Sequence, residues 1–339
     1  MNGPSMQSFI IHGVRVRMET ECAVLAEGVA DLFRRFPGAS PGDGEALQIT
    51  YRNGATGVGR LNRGPGLLGE RVFSSSWDNA IDFADRLGIR LDVYRRGGQL
   101  LYDYHRHGYI LLDAGMGILD GHLFDATDLQ PAVLTSFFFL LPLSKLLARR
   151  GLHMIHAAAL ERNGKGVMIP GMSGSGKTTC CISLMRAGYR CLSDDKPFLR
   201  DRGGRVELLA FPETIDVTER TISFFHELAA ASPVTVRAGY RKRQFHPEAL
   251  YPGSTGDVAQ PVLILFPRIS GEPTSRLEKL SKPAGFEALL PLGLVALDRE
   301  TSAHRFDVLA RVVEGADCYR LSFGRDVLEL PRLIDSLLG

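Results

Sequence analysis

The sequence predicts two domains, a smaller α+β domain over residues 1–130 and an α/β domain over residues 131–339. Two observations carry this prediction. Short strands joined by tight turns fill much of the first part, which is typical of an α+β module. In the second part an apolar strand at residues 166–170 runs into a glycine-rich loop and then into a helical segment. A chain of 339 residues is long enough for two domains with a sizeable core.

The first part has alternating apolar patterns broken by one helical pattern. The predicted elements are a strand at 9–18, a helix at 22–36, and strands at 47–51, 91–94, 99–104 and 108–113. The last three strands are joined by short turns and predict an antiparallel meander. His105 and His107 lie in one of these turns without a third metal ligand nearby, so a solvated turn is favoured over a metal site.

Composition narrows the class of protein. The chain is 45% hydrophobic with a net charge of +2, which gives no reason to expect nucleic acid or an anionic membrane as a partner. The five cysteines show no paired metal spacing, and a reduced, cytoplasmic location fits them best. The N-terminus lacks a basic region followed by an apolar core, so no secretion signal is expected.

Residues 128–150 form a predicted helical segment that contains the strongly apolar run 137–143. Asp128 and Lys145 bracket this run, and the uncharged span is shorter than the ~20 residues that a membrane helix needs. A buried helix, or a helix pair broken at Pro142, is therefore expected.

Residues 171–178 read GMSGSGKT and match the phosphate-binding pattern G-x-x-x-x-G-K-[ST] at every fixed position. The helix at 178–187 follows directly, so loop N–H groups and the helix N-terminus converge on one anion. Lys177 would reach the outer phosphates and the Thr178 hydroxyl would bind Mg²⁺. The residues expected at the nucleotide are Gly171, Ser173, Gly174, Ser175, Gly176, Lys177, Thr178 and Thr179. The sequence therefore predicts a nucleoside triphosphate, ATP, with Mg²⁺ as cofactor.

A second set of polar residues flanks this loop. The strand predicted at 189–193 ends in Asp194 and Asp195, and a right-handed crossover places it parallel to, and near, the strand that feeds the loop. Phosphoryl transfer needs a carboxylate at the metal and often a second group that takes the acceptor proton. His156 lies on the strand predicted at 151–160, whose hairpin with 166–170 brings it toward the loop; a satisfied core histidine is the equally weighted alternative.

These residues together resemble the catalytic domain of the HPr kinase/phosphorylase family, which is similar to phosphoenolpyruvate carboxykinase around the nucleotide. The family pattern is a strand histidine, a G-x-S-G-x-G-K-[ST] loop, a helix ending in glycine and a strand closing in Asp-Asp. In this chain these are His156, residues 171–178, Gly188 and the pair at 194–195. The resemblance covers residues 151–200 well, weakens toward the C-terminus and is absent from residues 1–130.

The resemblance implies the same fold for residues 131–339 and assigns roles within the site. His156, Lys177 and the two aspartates would form the catalytic cluster, with Asp195 aligned to the proton acceptor and Asp194 supporting the metal. The family's glycine-rich signature after the acids is missing, and Phe-Pro-Glu-Thr-Ile-Asp stands at 211–216, where Glu213 is the candidate metal carboxylate. The chain thus looks more like the divergent kinases of peptide-modifying systems, such as lasso-peptide precursor kinases.

Beyond the acids, a basic run includes Arg241 and Arg243. A solvated charged surface and contacts to the transferring phosphoryl group are equally weighted interpretations. Further elements are expected as a buried strand at 261–266, an amphipathic helix at 303–313, a strand at 319–323 and a last helix within 327–338.

The predicted function is transfer of the ATP γ-phosphoryl group to a hydroxyl, on a serine of a peptide or small protein. Phosphorylation of a small metabolite such as free serine, and an ATP-binding regulator with weak hydrolysis, are the alternatives. Residues 1–130 are assigned to substrate recognition or assembly, and homo-oligomer formation stays open.

Overall fold

The computed structural model describes residues 3–39, 45–54, 69–75, 89–124, 129–237, 240–293 and 299–339. The fold is mixed α/β with several sheets. The chain divides into two compact units, Met1–Arg150 and Gly151–Gly339. The segment 131–150, which the sequence prediction placed in the second domain, belongs to the first unit.

The first unit contains an eight-stranded sheet among the described residues. Its strands are β1 (Ser5–Ile11), β2 (Val14–Thr20), β3 (Leu47–Asn53), β4 (Glu70–Ser74), β5 (Asp92–Arg96), β6 (Gln99–Asp103), β7 (Gly108–Asp113) and β8 (Ile118–Leu123). They lie in the order β1-β2-β3-β8-β7-β6-β5-β4. The predicted meander is confirmed by the antiparallel pairs β5–β6 and β6–β7. The strand predicted at 9–18 is instead a hairpin, because His12 and Gly13 adopt positive φ angles of 46° and 92° and reverse the chain.

Two helical segments belong to this unit, α1 (Ala23–Leu32) and α2 (Pro131–Arg149). The middle of α2, Leu134–Leu140, is π-helical. The hydroxyls of Tyr51 and Tyr104 donate hydrogen bonds to the carbonyls of Phe138 and Phe137 there. These contacts occupy backbone acceptors in a stretch where the α-helical pattern is lost.

Helix α2 is one helix in the described part of the chain whose length and composition would allow it to cross a membrane. Within its most apolar window 67% is buried inside the protein. Such burial is the behaviour of a core helix, and the predicted break at Pro142 does not occur, since Leu141–Arg149 continues the segment.

The second unit is built on a nine-stranded sheet. A separate three-stranded sheet is formed by strands within residues 215–245. Its strands are β9 (His153–Met154), β10 (Ala157–Arg162), β11 (Lys165–Pro170), β12 (Arg190–Ser193), β13 (Phe198–Arg202), β14 (Arg205–Leu209), β15 (Ile215–Val217), β16 (Ser232–Arg237), β17 (Tyr240–Phe245), β18 (Val258–Ile269), β19 (Arg276–Lys279) and β20 (Asp317–Phe323). Its helices are α3 (Lys177–Arg186), α4 (Glu219–Ile222), α5 (Pro247–Leu250), α6 (Lys282–Leu289), α7 (Arg299–Gly315) and α8 (Leu330–Leu338).

Alternate residues of the central strands bury themselves in two separate cores. Ala158 and Leu160 of β10 pack with α3 and α8, whereas Ala157 and Ala159 pack with α7 on the other face. A strand covered on both faces reads as a continuous apolar run, which explains why β10 shows no polar alternation. Packing on both faces therefore fixes the position of β10 in the sheet.

The order β12-β10-β11-β18 sets the polarity of this region. Strand β10 is antiparallel to both β11 and β12. The first residue of β10 consequently lies at the same sheet edge as the last residues of its two neighbours. The strand predicted at 151–160 is broken into β9 and β10, because β9 pairs with β13 while β10 pairs with β11, and His156 sits in the break.

The remaining elements largely follow their predictions, with α7 longer at both ends and β20 beginning two residues earlier. Strand β18 continues past Pro267 to Ile269, because it pairs in parallel with β20 over residues 263–269. The first three residues of the segment predicted to hold the last helix form a 3₁₀ turn, Val327–Glu329, and α8 begins at Leu330.

A buried histidine pair in the second unit gives a pH-dependent contribution to stability. His153 is 2% exposed, and its Nε2 lies 2.8 Å from Nδ1 of His304. Burial and the neighbouring His304 lower the pKa of His153 to about 4. Because the folded pKa lies below the ordinary value of 6.5, this stability is complete above pH 6.5 and is lost as the pH falls toward 4.

We expect acidification over this range to remove up to ~3 kcal/mol of the free energy of unfolding. Urea unfolding of wild type and His153→Gln at a series of pH values measures it. The stability difference between the two proteins should shrink as the pH falls. A difference that stays constant between pH 7 and 4.5 would contradict the assignment.

Candidate functional site

The glycine loop at 171–176 connects β11 to α3. A Cβ on Gly171 would lie 2.5 Å from Oγ of Ser175, so any other residue there would displace the Ser175 side chain. Gly176 caps α3 with a φ of 104°, a conformation that disfavours any other residue. The Ser175 hydroxyl is buried and has no hydrogen-bond partner in the described part of the chain. The loop thus presents a compact backbone at the N-terminus of α3.

Lys177 folds back over this loop. Its Nζ donates to the carbonyls of Gly171 at 2.7 Å and Met172 at 3.3 Å, and lies 3.0 Å from Nε2 of His156. An ammonium group only donates, so Nε2 of His156 must be the acceptor and its Nδ1 carries the proton. Burial lowers the pKa of Lys177, and the charge of Asp195 opposes that shift.

Asp195 accepts a hydrogen bond from the other ring nitrogen of His156. Nδ1 of His156 lies 2.9 Å from Oδ1 of Asp195, so a continuous chain runs from Lys177 through His156 to Asp195. Burial acts to raise the pKa of Asp195, but the charge of Lys196 and the hydrogen bond from His156 outweigh it. The pKa therefore lies well below its ordinary value, and Asp195 is an ionised carboxylate that stays oriented by two partners.

Asp194 faces α3 instead. Its Oδ2 accepts a 3.0 Å hydrogen bond from Oγ1 of Thr178, and its Oδ1 is buried without a partner among the described residues. Burial, followed by the nearby charge of Asp195, raises the pKa of Asp194 to about 7. An unpartnered buried carboxylate oxygen is costly unless a cation or donor reaches it.

Lys196 bridges two carboxylates. Its Nζ lies 3.1 Å from Oδ2 of Asp195 and 3.0 Å from Oε2 of Glu213. Burial alone would lower the pKa of Lys196, but the charges of Glu213 and Asp195 raise it. Burial raises the pKa of Glu213, with Lys196 acting in the opposite direction. Oε1 of Glu213 is buried and unpartnered in the described part of the chain.

The turn that presents these acids is fixed by Ser193. Its buried Oγ accepts hydrogen bonds from the backbone N–H groups of Asp195 at 3.3 Å and Lys196 at 2.9 Å. A serine side chain that bonds its own following backbone ends the strand and turns the chain. As a result, Asp194 and Asp195 emerge at the edge where β11 ends and β10 begins.

Several other predicted site residues have different partners. The Thr179 hydroxyl lies 3.2 Å from that of Thr221. Arg243 contacts Glu219 at 3.0 Å and the carbonyl of Ala229 at 3.0 Å, while the side chain of Arg241 lies outside the described residues. His105 contacts Asp92 at 2.9 Å, so it is tied to a neighbouring strand rather than solvated.

Sequence reasoning missed Lys196. It stands directly after the two acids, and a cation at that position was a readable signal that the pair would not be left uncompensated. Glu213 was predicted as a metal carboxylate, but its contact with Lys196 could not be predicted from the sequence, since Glu213 lies in the loop that follows β14.

The residues present fit a magnesium–nucleotide complex. No group of three or more His, Cys, Asp or Glu side chains that could hold a metal ion occurs in the described ranges. Mg²⁺ bound with a nucleotide does not need such a cage, because it takes one or two carboxylates together with phosphate oxygens and water. The free Oδ1 of Asp194 beside the Thr178 hydroxyl offers that kind of donor set.

Two comparisons find similar proteins. Residues 122–241, a little more than a third of the chain, match the family described as SynChlorMet cassette protein ScmC. Among solved structures the chain is similar to the HPr(Ser) kinase/phosphatase from Coxiella burnetii, at 16% sequence identity over 55% of this chain and 93% of that chain, with a TM-score of 0.27. No curated protein matches this chain.

Proposed function

We propose that this chain is an ATP- and Mg²⁺-dependent kinase that phosphorylates a hydroxyl, on a serine of a peptide or small protein. The observation that carries the proposal is the hydrogen-bonded series of side chains Lys177–His156–Asp195. It joins the lysine of a glycine loop to an ionised carboxylate through one histidine, with contacts of 3.0 and 2.9 Å. A protein that only binds nucleotide needs the loop and its lysine, but not an oriented base beside them.

The roles follow from the partners of each side chain. The loop amides and Lys177 would hold the triphosphate, because backbone N–H groups and a cation at a helix N-terminus favour anions. Asp195 would take the proton of the acceptor hydroxyl. Two of its lone-pair sites are used by His156 and Lys196, which leaves others free, since a carboxylate has about four.

The proposed transfer step balances as follows. The acceptor oxygen forms a bond to the γ phosphorus while the bond from the γ phosphorus to the β,γ-bridging oxygen breaks, and the electron pair leaves with ADP. The hydroxyl proton passes to Asp195. Asp194 and Thr178 would hold Mg²⁺, which supplies charge neutralisation on the phosphate oxygens when bound.

A serine acceptor on a peptide is the part of the proposal that rests on motif resemblance. Its support is the G-x-S-G-x-G-K-T loop followed by Asp-Asp, together with the missing glycine-rich signature after the acids. The chain would therefore act on an acceptor other than the protein substrate of the HPr kinases.

Mass spectrometry of acceptors incubated with the chain, ATP and Mg²⁺ tests the proposal. The acceptors are peptides encoded beside the gene, HPr and free serine. A gain of one phosphate on a peptide hydroxyl is the expected result. Phosphate on free serine alone would replace the peptide acceptor with a metabolite. ATP binding with every acceptor unmodified, and with no turnover of ATP, would contradict a kinase.

A further inference from the structure

We infer that Lys196 is a built-in cation that takes the place of a second metal ion, so that the site works with one divalent cation rather than two. This inference rests on the proposed kinase function and concerns how its site is charged. Enzymes that transfer phosphoryl groups neutralise the reacting phosphates with one or two divalent cations. Whether a site binds one cation or two depends on whether its carboxylates are free or are already paired with a positively charged side chain.

The site contains three carboxylates, and they fall into two groups. Asp194 faces the Thr178 hydroxyl, with its Oδ1 buried and unpartnered in the described part of the chain. Asp195 and Glu213 face each other across Lys196, whose ammonium group lies 3.1 and 3.0 Å from one oxygen of each. The first group is open to a cation, and the second already holds one.

Lys196 is held in place by its backbone and by its ion pairs, unlike a mobile lysine on the surface. Its backbone N–H donates to the buried hydroxyl of Ser193 at 2.9 Å, which fixes the turn that carries it. Its side chain is 28% exposed and that of Glu213 is 13% exposed, so solvent screens this pair less than a surface ion pair. A lysine at this point delivers one positive charge to two carboxylates without a metal.

Removing that charge should convert the second group into a metal site. With Lys196 absent, Asp195 would keep its hydrogen bond from His156 while Glu213 would lose the cation beside it, and two carboxylates that face each other in a partly buried site favour the uptake of a cation. Mg²⁺ and Mn²⁺ prefer carboxylate oxygens of this kind. Lys196→Met keeps most of the apolar length of the side chain and removes the ammonium group.

The test is a count of bound Mn²⁺ by electron paramagnetic resonance, in the presence of the non-hydrolysable β,γ-imido analogue of ATP. We expect one Mn²⁺ per wild-type chain and two per Lys196→Met chain. The double variant Lys196→Met/Glu213→Gln should return to one, because it lacks one of the two carboxylates. Lys279→Met is the matched control, since Lys279 lies in an exposed ion pair with Asp317 outside the site, and it should bind one.

Two Mn²⁺ on the wild-type chain would overturn the inference and leave the kinase proposal standing, as would one Mn²⁺ on a folded Lys196→Met chain that binds the analogue. Failure of the wild-type chain to bind the analogue would overturn both. If Lys196→Met does not fold, Lys196→Gln replaces it. Even if neither variant folds, two Mn²⁺ bound to the wild-type chain would still overturn the inference.

Discussion

Replacing Asp195 by asparagine is expected to lower the rate of phosphoryl transfer by roughly 100- to 10,000-fold, the range typical of losing a general base. ATP binding should stay at the wild-type level, because the ion-pair partners of the Asp195 carboxylate in the described part of the chain are His156 and Lys196, which lie outside the glycine loop. The amide keeps the size of the carboxylate while losing its charge and its ability to take a proton. Calorimetry of ATP binding beside a phosphotransfer assay measures both effects.

Asp317→Asn is the matched control for this variant. Asp317 is a half-exposed carboxylate paired with Lys279, and its replacement should leave transfer unchanged. Turnover of Asp195→Asn at the wild-type rate would remove Asp195 from the role of base. Loss of ATP binding together with turnover would instead make Asp195 a structural support of the loop.

Replacing Lys177 by methionine is expected to weaken ATP binding and to lower the transfer rate by roughly 100- to 1,000-fold, as the loss of one charged donor at the reacting group does. The ammonium group holds the carbonyls of Gly171 and Met172 and donates to His156 in the nucleotide-free chain. Its loss removes a charge from the phosphate site and also frees one end of the histidine. Both binding and turnover should therefore fall, in contrast to Asp195→Asn.

Lys165→Met provides the comparison, at the start of β11, the far end of the strand that leads into the glycine loop. Lys165 contacts the carbonyl of Leu338 near the C-terminus and is exposed, so its replacement should not change ATP affinity. Equal ATP affinity for wild type and Lys177→Met would contradict the assignment of the loop to triphosphate binding.

Patterns of residue spacing predicted those parts of the site that are formed by residues close together in sequence. Helix α3, the acids after β12 and the hairpin β10–β11 all follow from residue spacing within short segments. The break that places His156 was not predictable, because it arises when β9 pairs with β13, a strand formed by residues 198–202. The Lys196–Glu213 contact likewise depends on a loop that approaches from another part of the sheet.

The same distinction holds for the first unit. Strands β5 to β7 were predicted since they are joined by short turns, whereas β8 carries Gly121 and alternating polar residues and was not recognised. The π-helical middle of α2 was not predicted, and two of its carbonyls accept hydrogen bonds from side chains far away in sequence, Tyr51 on β3 and Tyr104 just after β6. Local sequence does not reveal which distant side chains will compete for backbone acceptors.

The reversed polarity of β10 keeps most of the candidate site within a short stretch of the chain. Because the start of β10 meets the ends of β11 and β12, one uninterrupted stretch, from His156 to Asp195, supplies the glycine loop, the histidine and both acids. An exchange of residues 156–195 between two chains would therefore transfer all of these groups together.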